Sequence, residues 1–184
     1  MRRGKTMTLH RFGRLAAGAA AALVLPLTGA GTASAAPLDA VELYYDASGL
    51  PDYQAEATQA AANWNNSVHN VHLNSGGAAT IVMHETTGGG SYTQTDGHGN
   101  GDIYIDTQQV AEGNDPTRII AHEIGHNLGL PDHYEGPCSE LMSGHGPGIT
   151  CKNAMPDAQE SAQVDANFAN GFATVRLPDK HIYR

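Results

Sequence analysis

One run of residues constrains this chain more than any other: His122-Glu123-Ile124-Gly125-His126-Asn127-Leu128-Gly129-Leu130-Pro131-Asp132. On a helix, residues four apart lie on one face, a turn apart. A helix here therefore aims the imidazoles of His122 and His126 at one point, where a metal ion can sit. Glu123 stands beside them, within reach of the proton of a water at that metal. A catalytic zinc site takes three protein ligands and keeps a further position open, so the third ligand must arrive from outside the helix. Gly129 can take a left-handed conformation, end the helix and turn the chain back, which brings Asp132 to the third position. A carboxylate is a sound zinc ligand, at roughly 2.0–2.2 Å. The alternative is that Asp132 is a turn residue after Pro131 and adjacent His133 is the ligand, imidazole being the commoner donor to zinc.

The first residues read as something other than the fold. Arg2, Arg3, Lys5, Arg11 and Arg14 form a basic start, an apolar run from Leu15 to about Leu27 follows, and Ala33-Ser34-Ala35 is a small-residue cleavage signal. The apolar run is too short, and too broken by Gly18 and Pro26, for a membrane span. Residues 1–35 are expected to be a secretory signal peptide, leaving 36–184 as one domain of ordinary size. The Arg2-Arg3 pair raises a twin-arginine route, but the apolar flank that should follow it directly is missing. Few residues separate Ala36 from the first strand, so latency through a cysteine-bearing pro-segment is not expected.

Removal of the signal sharpens the charge. All 19 acidic residues lie after residue 35 and five of the 10 Lys and Arg before it, so 5 basic residues remain against 19 acidic ones, a net −14 with neutral histidines. Such a balance argues against nucleic acid and anionic membranes as partners. Two cysteines remain, Cys138 and Cys151. In an exported chain a disulfide is the default reading, and a loop of this size would stabilise by roughly 3 kcal/mol in the chain-entropy picture; the alternative is two free thiols.

Along the chain, Val41–Tyr45 reads as a strand, the Ala- and Gln-rich stretch from about Asp52 to Val68 as a helix with Trp64 inward, and Val71–Leu73 as a short strand. Thr80–His84 is a stronger strand. After Gly88-Gly89-Gly90, Ser91–Thr95 reads as an exposed edge strand, 96–101 as a polar turn, and Asp102–Asp106 as another strand. Asp115 is placed to cap the motif helix, with Pro116 in its first turn and Gly129 as its stop. Residues 130–155 show little periodicity, and 156 to about 170 reads as a last helix. The pattern is that of an α/β or α+β domain on a small twisted sheet.

The extended motif, His-Glu-x-x-His-x-x-Gly-x-x followed by a ligand, resembles the signature of the metzincin metallopeptidases. The general pattern ends in His; this chain has Asp132. In that departure it is similar to the snapalysins, small exported bacterial neutral proteases. The family's methionine turn is matched by Ser139-Glu140-Leu141-Met142-Ser143-Gly144. The resemblance covers about residues 115 to 151. It implies a mostly parallel twisted sheet with an antiparallel edge strand, an active-site helix and a C-terminal helix. It implies that His122, His126 and Asp132 hold zinc, that Glu123 passes a proton from a zinc-activated water to the leaving amine, and that Tyr134 contacts the metal or steadies the oxyanion. Met142 would pack as a floor under the histidines. A Cys138–Cys151 disulfide would enclose the methionine turn, and a structural calcium ion would take Asp115 and Thr117 as ligands. The edge strand near Tyr92 would pair with an extended substrate, and an aromatic residue would be favoured on the amine side of the cut bond.

The residues also admit plainer roles. Without the resemblance Asp115 is a helix cap, two side chains being too few for calcium unless carbonyls and waters supply the rest. Tyr134 can be a packing aromatic. His69, His72, His84, His98 and His145 show no ligand spacing among themselves. The 96–101 turn, flanked by Asp96 and Asp102, reads as a flexible turn before it reads as a calcium loop. The expectation is thus a secreted, extracellular, monomeric zinc endopeptidase acting on proteins or peptides, the alternative being a secreted zinc-binding module without peptidase activity.

Overall fold

The computed structural model describes residues 39–171 and 181–183; the expected signal peptide, 1–35, lies outside them. Six strands form one sheet in the order β2-β1-β3-β5-β4-β6. In chain order these are β1 (Val41–Gly49), β2 (Val71–Ser75), β3 (Ile81–Thr86), β4 (Tyr92–Thr95), β5 (Gly101–Asp106) and β6 (His181–Ile182). β1 runs parallel to both β2 and β3, and β3 parallel to β5. β4 is antiparallel to β5 and to β6. The sheet is therefore mostly parallel with an antiparallel edge, as the sequence implies.

Alternation along the strands decides which face is covered. Leu43 and Tyr45 of β1, Ile81 and Met83 of β3, and Ile103 and Ile105 of β5 are all buried. Against them pack helices α1 (Gln54–Asn65) and α3 (Pro116–Asn127). Alanines 57, 60 and 61 are buried in α1; side chains this small let a neighbouring element approach closely. Trp64 fills the space that remains, and its indole N–H donates to the Ala121 carbonyl at 2.8 Å, which leaves no unpaired donor in the core. The opposite face carries a polar and aromatic ladder, with Tyr104 stacked on Tyr92 and on His84 at ring separations of 4.6 and 4.8 Å.

β1 bends where its register against β3 shifts, between Asp46 and Gly49. At Gly49 a Cβ would lie 2.4 Å from the Met83 carbonyl oxygen, so only glycine fits that crossing. The 96–101 turn is tied down by Asp96, which accepts from the backbone of His98 and Asn100 and from the Asn100 amide. Helix α1 is shorter at both ends than its composition suggests. The sequence reading also lacked the short helix α2 (Thr107–Ala111), capped by Asp106, and strand β6. The edge strand β4, expected to be exposed, is covered by β6 on its outer side.

Candidate active site

α3 begins as its sequence requires. Asp115 caps it, accepting from the Arg118 amide at 3.0 Å, and Pro116 occupies the first turn. It ends in a Schellman motif: Gly129 N–H donates to the His126 carbonyl and Leu130 N–H to the Gly125 carbonyl, both at 3.0 Å. Gly129 has φ +88°, and a Cβ there would stand 2.6 Å from Nδ2 of Asn167. The reversal turns the Leu130 carbonyl to the His126 ring and carries Asp132 back to the helix.

The two histidines are fully buried, and each is oriented by a carbonyl. His122 Nδ1 lies 3.1 Å from the Leu141 oxygen and His126 Nδ1 2.8 Å from the Leu130 oxygen. A carbonyl only accepts, so each Nδ1 carries the proton and each Nε2 is left with its lone pair. Those two Nε2 atoms face each other at 3.1 Å, and Asp132 Oδ1 lies 3.2 Å from one and 3.4 Å from the other. Three electron-pair donors turned inward on one another repel unless a cation sits among them. Their softness and geometry suit zinc. Among the described residues these three form the group placed to hold a metal ion. His133 points elsewhere: its Nδ1 contacts the Glu140 carboxylate, and its side chain is 64% exposed.

Glu123 is buried next to this cluster. Thr93 of β4 donates its hydroxyl to Oε2 at 2.6 Å, whereas Oε1 is buried with no hydrogen-bond partner among the described residues. Burial holds the carboxyl well above the usual carboxylate range; the Thr93 hydrogen bond opposes this, and the charge of Asp132 adds to it. A carboxylate with raised proton affinity and one uncommitted oxygen is suited to proton transfer.

Beneath α3 lies the 3-10 turn Leu141–Ser143. Met142 is buried, and its Sδ would be 2.6 Å from a Cβ placed on Gly125, so the turn packs directly against the helix between the two histidines. Glu160 of α4 (Ala158–Asn167) accepts from the amides of Leu141 and Met142 at 3.0 and 2.7 Å while closing a capping box with Asp157. Cys138 and Cys151 form a disulfide that brackets the turn. Arg118, also buried, donates to the carbonyls of Glu140, Gly144 and Asn153 and to the Ser143 hydroxyl. Tyr134 lies on the loop after Asp132 and is 36% exposed. Thr117 follows the Asp115 cap in the first turn of α3; neither belongs to a cluster of three or more His, Cys, Asp or Glu side chains among the described residues.

Thr93, Arg118, Glu160 and Tyr183 escaped the sequence reading. The Asp157-x-x-Glu160 spacing of a capping box was a readable signal for Glu160, though not for its hold on the turn. Tyr183 is buried, with its ring edge-on to His122 at 5.0 Å and to His145 at 5.9 Å. Burial, opposed by Arg118, pushes its hydroxyl up to about 12.

The profile of the Streptomyces extracellular neutral proteinase (M7) family matches residues 40–171. An extracellular small neutral protease of Streptomyces caespitosus is 54% identical over 132 residues, which cover 71% of this chain and 99% of that protein. One from Streptomyces sp. strain C5 is 48% identical over 136 residues, 73% of this chain and 59% of its own length. The archaemetzincin of Methanopyrus kandleri overlays distantly, with a TM-score of 0.47 and 12% identity over 70% of this chain and 95% of its own. With nearly three quarters of its length matched by the profile, and carrying the His-His-Asp group and adjacent glutamate, the chain belongs to the M7 family of extracellular metalloendopeptidases.

Proposed function

We propose that this chain hydrolyses internal peptide bonds of proteins through a zinc ion held by His122, His126 and Asp132, with Glu123 moving the proton. The observation that carries the reading is the inward convergence of three lone-pair donors beside a buried carboxylate. When bound there, zinc supplies Lewis acidity, making a water nucleophilic near neutral pH and polarising the scissile carbonyl. The residues do the rest. The Leu141 and Leu130 carbonyls hold both rings in the ligating tautomer. Thr93 fixes one oxygen of Glu123, and the other takes the proton of the attacking water and returns it to the leaving amine. Tyr134 steadies the oxyanion from the loop beyond Asp132.

The outer edge of β4 is where an extended substrate pairs. A preference for an aromatic residue on the amine side of the cut bond is supported by the Tyr183 ring, which is buried edge-on to His122. Residues 1–35 act as the export signal, and the exported domain works as a monomer; N-terminal sequencing and sedimentation of the secreted protein check both. A structural calcium ion at Asp115 and Thr117 belongs to the same reading and is supported by the resemblance alone. Calcium should raise the melting temperature of the wild-type chain and not that of Asp115→Asn, which keeps a capping side chain; an equal rise in both removes the site.

The central test is Glu123→Gln on casein. The variant should keep one zinc per chain and lose activity by about 10²–10⁴-fold, with a smaller loss for Tyr134→Phe. Equal casein clearing by Glu123→Gln and wild type would sink the mechanism and leave a zinc-binding module.

A further inference from the structure

β4 is paired with β5 along one edge, so one edge is left for any other strand. In this chain that edge is taken by the chain itself. Tyr92 pairs with Ile182 and Thr93 with His181, antiparallel, and Tyr183 N–H donates to the Ser91 carbonyl at 2.7 Å. Gln109 secures the end of the segment by donating to the Tyr183 carbonyl at 3.1 Å. The Tyr183 side chain then turns inward, 2% exposed, against His122, one of the three inward-facing donors. This is the course that the proposed function gives an extended substrate: backbone on the β4 edge, one side chain beside His122. Residues 181–183 lie beyond the stretch matched by the family profile, which ends at 171.

We propose that residues 181–183 are an intramolecular blocker, a strand of the chain's own that holds the place of substrate on β4 with the Tyr183 ring buried against His122. The proposal rests on the peptidase reading for its consequence but not for its geometry. A single edge cannot pair with two strands, so blocker and substrate exclude one another. A tethered strand acts at an effective concentration in the millimolar range. It therefore competes with dilute substrate and is displaced by saturating substrate. The signature is a raised KM with kcat unchanged, which a merely structural role for Tyr183 would not give.

Two measurements on the full chain test this. Cleavage of a quenched fluorescent peptide by wild type, Tyr183→Ala and Tyr183→Phe, with the intact mass of each assayed chain recorded to fix its C-terminus, should give a KM about tenfold lower for Tyr183→Ala, a kcat within twofold, and a wild-type KM for Tyr183→Phe, which keeps the ring. An unchanged or raised KM in Tyr183→Ala overturns the proposal. The second measurement needs no activity. A fluorescein-labelled peptide of residues 179–184 should bind Tyr183→Ala saturably by anisotropy and bind the wild-type chain at least tenfold more weakly. Equal binding to both, or none to Tyr183→Ala, overturns it. If all three chains are inactive with zinc bound, the peptidase reading fails while the anisotropy still decides the blocker.

Discussion

Arg118 and His122 stand one turn apart on α3, both buried, and their surroundings are opposites. The Arg118 guanidinium is 1% exposed, and its donors reach three carbonyls and a hydroxyl from the loop that carries the methionine turn. One turn on, His122, His126 and Asp132 bring their ligand atoms together, and Glu123 buries an oxygen that accepts no hydrogen bond among the described residues. The first cluster is closed by the hydrogen bonds of Arg118, and the second converges on a point that could hold a metal ion. Buried polar groups that are fully hydrogen-bonded specify structure. A carboxylate as buried as Glu123, with one oxygen that accepts no hydrogen bond among the described residues, is stability given up for chemistry. The contrast predicts that the two regions respond in different observables.

The largest effect on folding should come from Arg118→Met. The variant keeps bulk but strips the donors from several buried acceptors, each costing about 1–3 kcal/mol when left unpaired. A loss of about 4 kcal/mol or more in denaturant unfolding of the metal-free chain is expected. By the same logic Glu123→Gln, on the far side of the comparison, should leave unfolding free energy nearly unchanged while removing activity. If Arg118→Met unfolds like wild type, the distinction between the two clusters fails.

That distinction could not be read from the sequence, and the reason is instructive. The two histidines, the glycine stop and the acidic residue after it are close in sequence, so helix geometry alone brings them together. The Asp115-Pro116 start and Gly129 stop of α3, and the placement of the first five strands, rest on equally local signals. Arg118 finds its partners 22 to 35 residues away, on a stretch without periodicity. Thr93 meets Glu123 across 30 residues and Tyr183 meets Ser91 across the whole domain. β6 is only two residues long and has no alternation to detect. Local spacing thus brought together the three side chains that could hold a metal ion, whereas the groups that hold or cover them depend on packing between distant segments.

Gly125→Ala sharpens the comparison at the point where the two regions touch. The added Cβ would meet Met142 Sδ at 2.6 Å and Trp64 Cζ2 at 3.2 Å. The thioether can swing away and the indole, held by its hydrogen bond to Ala121, cannot. Overpacking of this kind costs about 1–3 kcal/mol. Because Met142 packs against the helix between His122 and His126, the variant should also lower kcat, unlike a remote core change of equal cost. Thermal unfolding and kcat measured on the same preparation check this. A full loss of stability with unchanged kcat would make Met142 ordinary core.

The smallest expected effect lies farthest from the metal. Asp165 of α4 accepts from the amides of His69 and Asn70 at 2.6 and 2.9 Å, and its second oxygen lies 3.0 Å from the His69 ring, which fastens the entry of β2 to the helix. Burial works against the Asp165 charge, but these hydrogen bonds and the His69 ring outweigh it and hold the carboxyl below its usual value. A carboxyl depressed in the folded state contributes stability that is fully present above its unfolded value of about 3.9 and is lost as pH falls through the lower folded value. Asp165→Asn should therefore cost about 1 kcal/mol near neutral pH, and the gap to wild type should close below about pH 4. A gap that persists unchanged at pH 3 would mean that the loop is held by shape and not by charge. Activity at saturating substrate should not move, because Asp165 touches neither the metal ligands nor β4; a fall in kcat would tie the β2 edge to the site and weaken the separation between the two clusters on α3.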